Sequence, residues 1–175
     1  MSLHVIVDGY NLIRQSPSLS RLDARDLQEG REALIHMLTA YRRARGHRVT
    51  VVFDGTQAPM FSRRRDRIGG VGVVFSRQGE TADAVIARMA EREREKAMVI
   101  SSDRQVALAA SACGSGNISS PAFEERLMMA IAMEAPSGEE DDAPVRQPRQ
   151  KTRKKGPSRR LPKKIRQQRR RATKL

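Results

Sequence analysis

An α/β domain with a central, mainly parallel sheet flanked by helices is what residues 1–135 predict, followed by an acidic-then-basic tail over residues 136–175. Three patterns carry that prediction. Short β-branched runs at residues 5–7, 49–53, 71–75 and 98–100 are largely apolar without alternation, as expected of strands covered by helices on both faces. Stretches with apolar residues at helical spacing separate most of these runs, and alternating strand and helix argues for right-handed crossovers in a parallel sheet. Acids stand where the runs end or a helix begins: Asp8, Asp54, Asp83 and Asp103.

In chain order, residues 4–7 form the first strand, stopped by Asp8-Gly9. Residues 15–20, rich in Ser and Pro, read as a loop. Leu27, Leu34, Leu38 and Tyr41 then share one helical face, and Gly46 marks the helix end. Residues 49–53 are the second strand, closed by Asp54-Gly55, and Ser62-Arg63-Arg64-Arg65-Asp66-Arg67 reads as a basic loop on the carboxylate-bearing edge. Residues 71–75 are the third strand. Ala82, Val85, Ile86, Met89 and Ala90 trace an i, i+3, i+4, i+7, i+8 stripe, so a helix starts near Thr81, with residues 91–96 as its solvated end. Residues 98–101 are the fourth strand, 106–112 a short Ala-rich helix, and 117–119 a short edge strand. Ser120-Pro121 supplies an N-cap and a first-turn proline to a last helix ending near Glu134.

Charge divides the chain. All 20 acids and 19 of the 34 Lys and Arg lie in residues 1–144, leaving that stretch at −1. The other 15 basic residues, with no acid, fill residues 145–175, so the tail alone makes the chain basic. That tail has too few apolar residues for a core and is expected to be disordered when unbound. A single cysteine, Cys113, excludes an intrachain disulfide framework, and no Cys/His cluster has zinc spacing. With no apolar run of membrane length and no charged-then-apolar leader, a soluble, cytoplasmic protein that makes no membrane contact is expected.

In a parallel α/β sheet, ligands bind in the crevice outside the carboxyl ends of the strands. Carboxylates gathered there repel one another. A hard cation such as Mg²⁺, bound through one or two of them and keeping its waters, removes that cost. One or two Mg²⁺ or Mn²⁺ ions support phosphodiester hydrolysis without a histidine or a nucleophilic side chain, which suits a chain whose His4, His36 and His47 lie outside the acidic segments. Asp8 and Asp103 are the first choices for direct ligands, because adjacent strands would bring them together. Asp83 would face the pocket from the first turn of its helix. Asp54 and Glu80 would act through water, and Asn11 would orient Asp8 or a phosphate oxygen. Each residue also has a local role: turn residues for Asp8 and Asp54, acids at a positive helix start for Glu80 and Asp83, a cap for Asp103. Four such acids at one edge point beyond local roles. Other phosphate loops are excluded: Gly69-Gly70-Val71-Gly72 precedes its strand, and no G-x-x-x-x-G-K-[ST] loop exists.

The segment Ile6-Val7-Asp8-Gly9-Tyr10-Asn11-Leu12-Ile13 resembles the opening of the NYN domains, the PIN-like nucleases. Val52-Phe53-Asp54-Gly55, Gly79-Glu80-Thr81-Ala82-Asp83 and Ser101-Ser102-Asp103 follow in that family's order, so the resemblance covers roughly residues 3–130. It implies a PIN-like fold, a divalent-metal site and endoribonuclease activity, and points to the YacP-type members, which look like ribosome-associated mRNA nucleases. By position, it assigns Asp8, Asp54, Asp83 and Asp103 to the acidic pocket, with Asn11 and Glu80 adjoining. One departure stands out: the Gly/Ala-Arg-Ser/Thr pattern usual before the last helix is replaced by Cys113-Gly114-Ser115-Gly116-Asn117-Ile118-Ser119.

The tail, with Lys154, Lys155, Arg159, Arg160, Lys163, Lys164, Arg169, Arg170 and Arg171, suits sequence-independent binding to RNA, whether mRNA or rRNA, or to the ribosome. Lacking aromatic rings, it should not read bases. Arg63, Arg64, Arg65 and Arg67 would hold the backbone of the scissile strand. The sequence thus predicts a metal-dependent endoribonuclease. Its rivals are a non-catalytic RNA- or ribosome-binding factor that keeps the fold, and a DNA-directed nuclease of related fold.

Overall fold

The strand β1 (His4–Asp8) is buried along its whole length and lies at the centre of the sheet. The structure is a computed structural model that describes residues 2–57 and 64–134. Arg63 and every tail residue named above lie outside the described residues, as does the expected disorder of the tail. After β1 come α1 (Gly9–Gln15), α2 (Pro17–Arg25), α3 (Leu27–Arg45) and β2 (Arg48–Phe53). A short 3₁₀ turn at Gly55–Gln57 precedes β3 (Arg65–Ile68), β4 (Val71–Phe75) and α4 (Ala82–Glu93). The chain continues through a second 3₁₀ turn, Arg94–Lys96, to β5 (Ala97–Ile100), α5 (Arg104–Ala112), β6 (Gly116–Ile118) and α6 (Ser120–Glu134).

The sheet order is β3-β4-β2-β1-β5-β6, parallel throughout except for the antiparallel β3–β4 pair. From β1 the chain builds outward through β2 to β4, then returns to lay β5 on the other side of β1. The strand order therefore reverses between β1 and β5, which is where an open α/β sheet opens a crevice. Successive residues of β1 face opposite layers. Val5 and Val7 pack with α1, α2, α3 and α6, whereas Ile6 packs with α4 and α5. Two apolar cores thus sandwich the sheet, and this explains why the strands read as apolar runs without alternation.

The structure corrects the sequence reading in two places. Residues 15–20 are not a loop. Ser16 caps α2, accepting the Leu19 N–H at 3.3 Å, with Pro17 in the first turn. This is the same Ser-Pro signature as at residues 120–121, masked here because the helix is short and mostly polar. The basic stretch around Arg64–Arg67 is not wholly loop either. Residues Arg65–Ile68 form the edge strand β3, exposed at all four positions, so no apolar pattern announces it.

Both Asp-Gly pairs owe their glycine to close approach. A Cβ on Gly9 would enter the Phe53 ring, and one on Gly55 would meet the Ser76 carbonyl. Gly9→Ala should therefore destabilise the domain by about 1–3 kcal/mol, the usual cost of overpacking a core. Urea unfolding checks this; an unchanged midpoint would show that Phe53 can move aside.

Candidate functional site

Asp8, Asp54, Asp83 and Asp103 line one cleft of about 550 Å³ at the carboxyl edge of the sheet, together with Tyr10, Asn11, Arg14, Thr56 and Thr81. Each acid arrives by a different route. Asp8 ends β1 and caps α1, its Oδ1 accepting the Asn11 N–H at 3.3 Å. Asp54 follows β2 and accepts the Thr56 hydroxyl at 2.7 Å and the Thr56 N–H at 2.9 Å. Asp83 sits in the first turn of α4, whose cap is Thr81. Asp103 caps α5, accepting the N–H groups of Gln105 and Val106 at 2.7 and 3.2 Å.

Two residues tie the strand ends together. The buried Ser101 hydroxyl donates to Asp8 Oδ2 at 3.0 Å and accepts the Asp103 N–H at 3.1 Å, so one side chain spans β1 and the start of α5. Asn11 Oδ1 accepts the Ser102 N–H at 2.9 Å, the Ser120 hydroxyl at 2.7 Å and Gln15 Nε2 at 3.1 Å. Asn11 thus pins α1 to the β5–α5 turn and to the start of α6. Its carboxamide oxygen is occupied in positioning these elements, and it meets Asp8 through its backbone N–H. Ser120 accordingly spends its hydroxyl on Asn11.

The electrostatics record the crowding. Burial, then the charges of Asp83 and Asp103, push the Asp8 carboxyl above its usual value, against the hydrogen bonds from Ser101 and Asn11. Partial desolvation and the charges of Asp103 and Asp54 push Asp83 upward as well. The Thr56 hydroxyl and N–H hold Asp54 below the usual carboxylate range. The cleft therefore resists full ionisation at its centre and is ionised at its rim.

Glu80 stands apart from this cleft. It pairs with Arg88 at 2.7 Å and accepts the Arg77 N–H at 3.2 Å, on the far side of the start of α4. Arg64 and Arg65 line the hollow that holds Glu80, and Arg67 lies further along the same sheet edge, so none of these three lines the acidic cleft. In place of the missing arginine pattern, Asn117 Nδ2 donates to the carbonyls of Val99 and Ser101, bracing β5 at 3.3 Å each. Among the cleft's described lining residues the cation is Arg14, which the sequence reading missed. It lies one turn after Tyr10 on α1, over the Tyr10 ring at 5.8 Å. The i, i+4 spacing of Tyr10 and Arg14 is the signal for it, and it means something only once α1 is known to be a helix.

The donors in the cleft are oxygens, with no Cys or His among its described lining residues, a set suited to hard cations such as Mg²⁺ or Mn²⁺. Among the described residues no group of three or more His, Cys, Asp or Glu side chains is arranged to hold a metal ion as it stands. Attachment through one or two carboxylates with retained waters is the mode that fits.

A family model described as a YacP-like NYN domain matches residues 5–173. The chain belongs to the YacP-like NYN domain family. A relative from Bacillus subtilis (strain 168), named uncharacterized protein YacP, is 36% identical over 87 residues. That match covers 50% of this chain and 51% of the relative, so it spans about half the relative's length. Two crystal structures of Rae1 (YacP) from Bacillus subtilis share the fold at 29% identity. One, of a tryptophan-to-leucine mutant, gives a TM-score of 0.63 over 76% of this chain and 79% of that one. The other gives 0.65 over 76% and 77%. The chain thus carries a YacP-like NYN domain, with its acidic cleft at the carboxyl edge of the sheet. No helix among the described residues is long and apolar enough to cross a membrane.

Asp8→Asn keeps a good N-cap while removing one of the repelling charges. At neutral pH it should raise the melting temperature by about 2–4 °C per kcal/mol of repulsion relieved. A raised folded-state pKa means that ionisation costs stability above that pKa. The cost lifts as pH falls through it and is gone near the ordinary value of 3.8. The advantage of the variant should therefore shrink between neutral pH and pH 4 in thermal melts. A pH-independent difference would contradict the electrostatic account. Asn11→Ala should lower kcat of the proposed nuclease by about 10–100-fold, the usual cost of losing a supporting partner, with KM little changed. Steady-state kinetics on an RNA oligonucleotide would measure it.

Proposed function

We propose that this NYN domain is a divalent-metal-dependent endoribonuclease acting on RNA, with ribosome-associated mRNA as its natural substrate and the basic tail adding affinity for RNA or the ribosome. The convergence of Asp8, Asp54, Asp83 and Asp103 on one cleft beside Arg14 carries the reading. Family membership supports the reaction class.

In this reading, a Mg²⁺ or Mn²⁺ ion supplies Lewis acidity that activates water and neutralises charge on the phosphate. Asp8 and Asp103 would hold that ion through one or both carboxylates, Asp83 would face them from α4, and Asp54 would order water from the rim. Ser101 keeps the Asp8 carboxylate turned toward the cleft by donating to its second oxygen. The Arg14 guanidinium, which cannot lose its proton, binds a phosphate oxygen and offsets the negative field that would otherwise repel RNA. Tyr10 supports Arg14 from below, its own hydroxyl accepting from Arg31 at 2.9 Å. The carboxylates are the bases available in the cleft, and the chemistry needs no other.

End-labelled RNA incubated with the purified chain should be cut internally with Mg²⁺ or Mn²⁺ and left intact with EDTA. Asp8→Asn and Asp103→Asn should each lower the rate by about 10²–10³-fold, the scale of losing one electrostatic partner of a transition state. Arg14→Ala should weaken substrate binding and rate together. A truncation after Ala135 measures what the tail adds. Wild type that binds RNA but never cuts it, free or on translating ribosomes, would mean a non-catalytic RNA-binding factor. Equal cleavage of DNA would remove the ribonuclease assignment.

A further inference from the structure

The described domain segregates its charge. Acids crowd the cleft, while arginines gather on the face between β3 and α4. The register explains how. Arg65 and Arg67 of β3 lie opposite Val74 and Gly72 of β4, so their side chains share a sheet face with those residues. Val74 packs toward the core beneath α4 and α5, which places both arginines on the α4 side. That helix covers β1, β2 and β5 and leaves the β4–β3 strip open. What remains is a trough between β3 and α4, made of three adjoining hollows of about 450, 370 and 200 Å³.

Arginines edge this trough along its length. Arg64 and Arg77 stand at the end nearest the carboxyl edge of the sheet, Arg65 and Arg88 in the middle, and Arg67, Arg92 and Arg48 at the far end. Carboxylates neutralise part of the set. Glu80 pairs with Arg88, while Glu93 is shared by Arg92, Arg48 and His4 at 3.2–3.4 Å. Arg64, Arg65 and Arg67 have no carboxylate partner among the described residues, and Arg77 makes no ion-pair contact there, although Glu80 accepts its backbone N–H and acts on its charge from further off. Of the remaining acids nearby, Asp66 borders the far hollow, at a register position opposite Val73 whose side chain takes the other sheet face, and Glu91 borders the middle hollow as an exposed side chain. The floor is aliphatic, from Val74, Val85 and Met89. Phe75 borders the end nearest the cleft, but its ring stacks on Phe53 in the opposite core and offers no face to a base.

We infer that this trough binds the sugar–phosphate backbone of an RNA strand and leads it to the cleft. The inference rests on the ribonuclease reading for its choice of polyanion. Guanidinium forks match phosphate oxygens in pairs, and three arginines in a row without carboxylate partners, with Arg77 at their head, form a built phosphate track. The stretch of α4 that walls the trough, Val85 to Arg92, rises about 10 Å, room for about three phosphates at the ~3.4 Å rise of a helical strand. The same helix joins the two regions: Thr81, Ala82 and Asp83 form a wall of the cleft, while Val85, Arg88 and Arg92 form a wall of the trough. A strand leaving the cleft over the start of α4 enters the trough at Arg77 and Arg64. With no ring among the described residues turned toward it, the trough reads no sequence, so it supplies affinity and direction.

The test uses the full chain, a fluorescein-labelled 20-nucleotide oligouridylate, and anisotropy titrations across a KCl series in EDTA, so that binding is read without cleavage. Arg65→Glu/Arg67→Glu is compared with Arg21→Glu/Arg126→Glu, which makes the same charge change on exposed positions of α2 and α6 in the opposite layer. The trough pair should weaken binding about tenfold beyond the control and flatten the log K against log[salt] slope by about 1.4, at ~0.7 for each phosphate no longer neutralised. Thermal melts verify folding; should the pair unfold, Arg77→Glu alone carries the test with half the slope change. Equal weakening by the control pair, or no weakening by the trough variants, overturns the inference. A chain that binds RNA through the trough yet never cuts it with Mg²⁺ or Mn²⁺ would retain the trough and lose the nuclease reading. One that cuts but ignores both trough variants would do the reverse.

Discussion

Between the neighbouring strands β1 and β5, the Ser101 hydroxyl joins Asp8 to the backbone of Asp103. These two carboxylates would separate if left to their charges. Each is instead held by donors already in the protein: Asp8 by Ser101 and the Asn11 N–H, Asp103 by two N–H groups at the start of α5. Hydrogen bonds to the charged form offset part of the repulsion that burial and proximity impose. The remainder survives as raised proton affinity at Asp8 and Asp83. The cleft is thus strained electrostatically while its backbone is ordinary, a condition that favours any cation able to enter.

Asn11 extends the same constraint to the helices. Its carboxamide oxygen receives three donors, from Ser102, Ser120 and Gln15, and so locks α1, the β5–α5 turn and α6 into one arrangement. Near this junction Ser16 donates to Glu124, linking the start of α2 to α6. The carboxylates can be positioned within a narrow range because the elements that carry them are joined by polar contacts at the edge and by two apolar cores below it. The same packing decides where charge can go. Helix α4 covers the centre of the sheet and stops short of β3, so the acids collect at its beginning and the arginines along its outer flank.

Much of this was legible before the structure. The strands read correctly because burial on both faces demands unbroken apolar runs, and the four Asp line one cleft because a parallel sheet carries its strand ends to one edge. The polar elements were not legible. Helices α1 and α2 and the strand β3 lack a long apolar stripe, since α1 and α2 are short and β3 is exposed. Tertiary packing holds them in place, and packing leaves no periodic trace over seven or nine residues.

The sequence by itself determined what depends on near neighbours: the helix starts at Thr81 and Asp103, the end of α3 at Gly46, and the acids placed at strand ends. Only the tertiary structure decided which side chains share a space. It brought Arg14 into the cleft, turned Glu80 away to Arg88, and set Ser101 between the Asp8 carboxylate and the Asp103 backbone. The reason is rotational. A residue's distance along the chain fixes its turn or cap, whereas the direction in which its side chain emerges depends on strand order and on how each helix is rolled against the sheet.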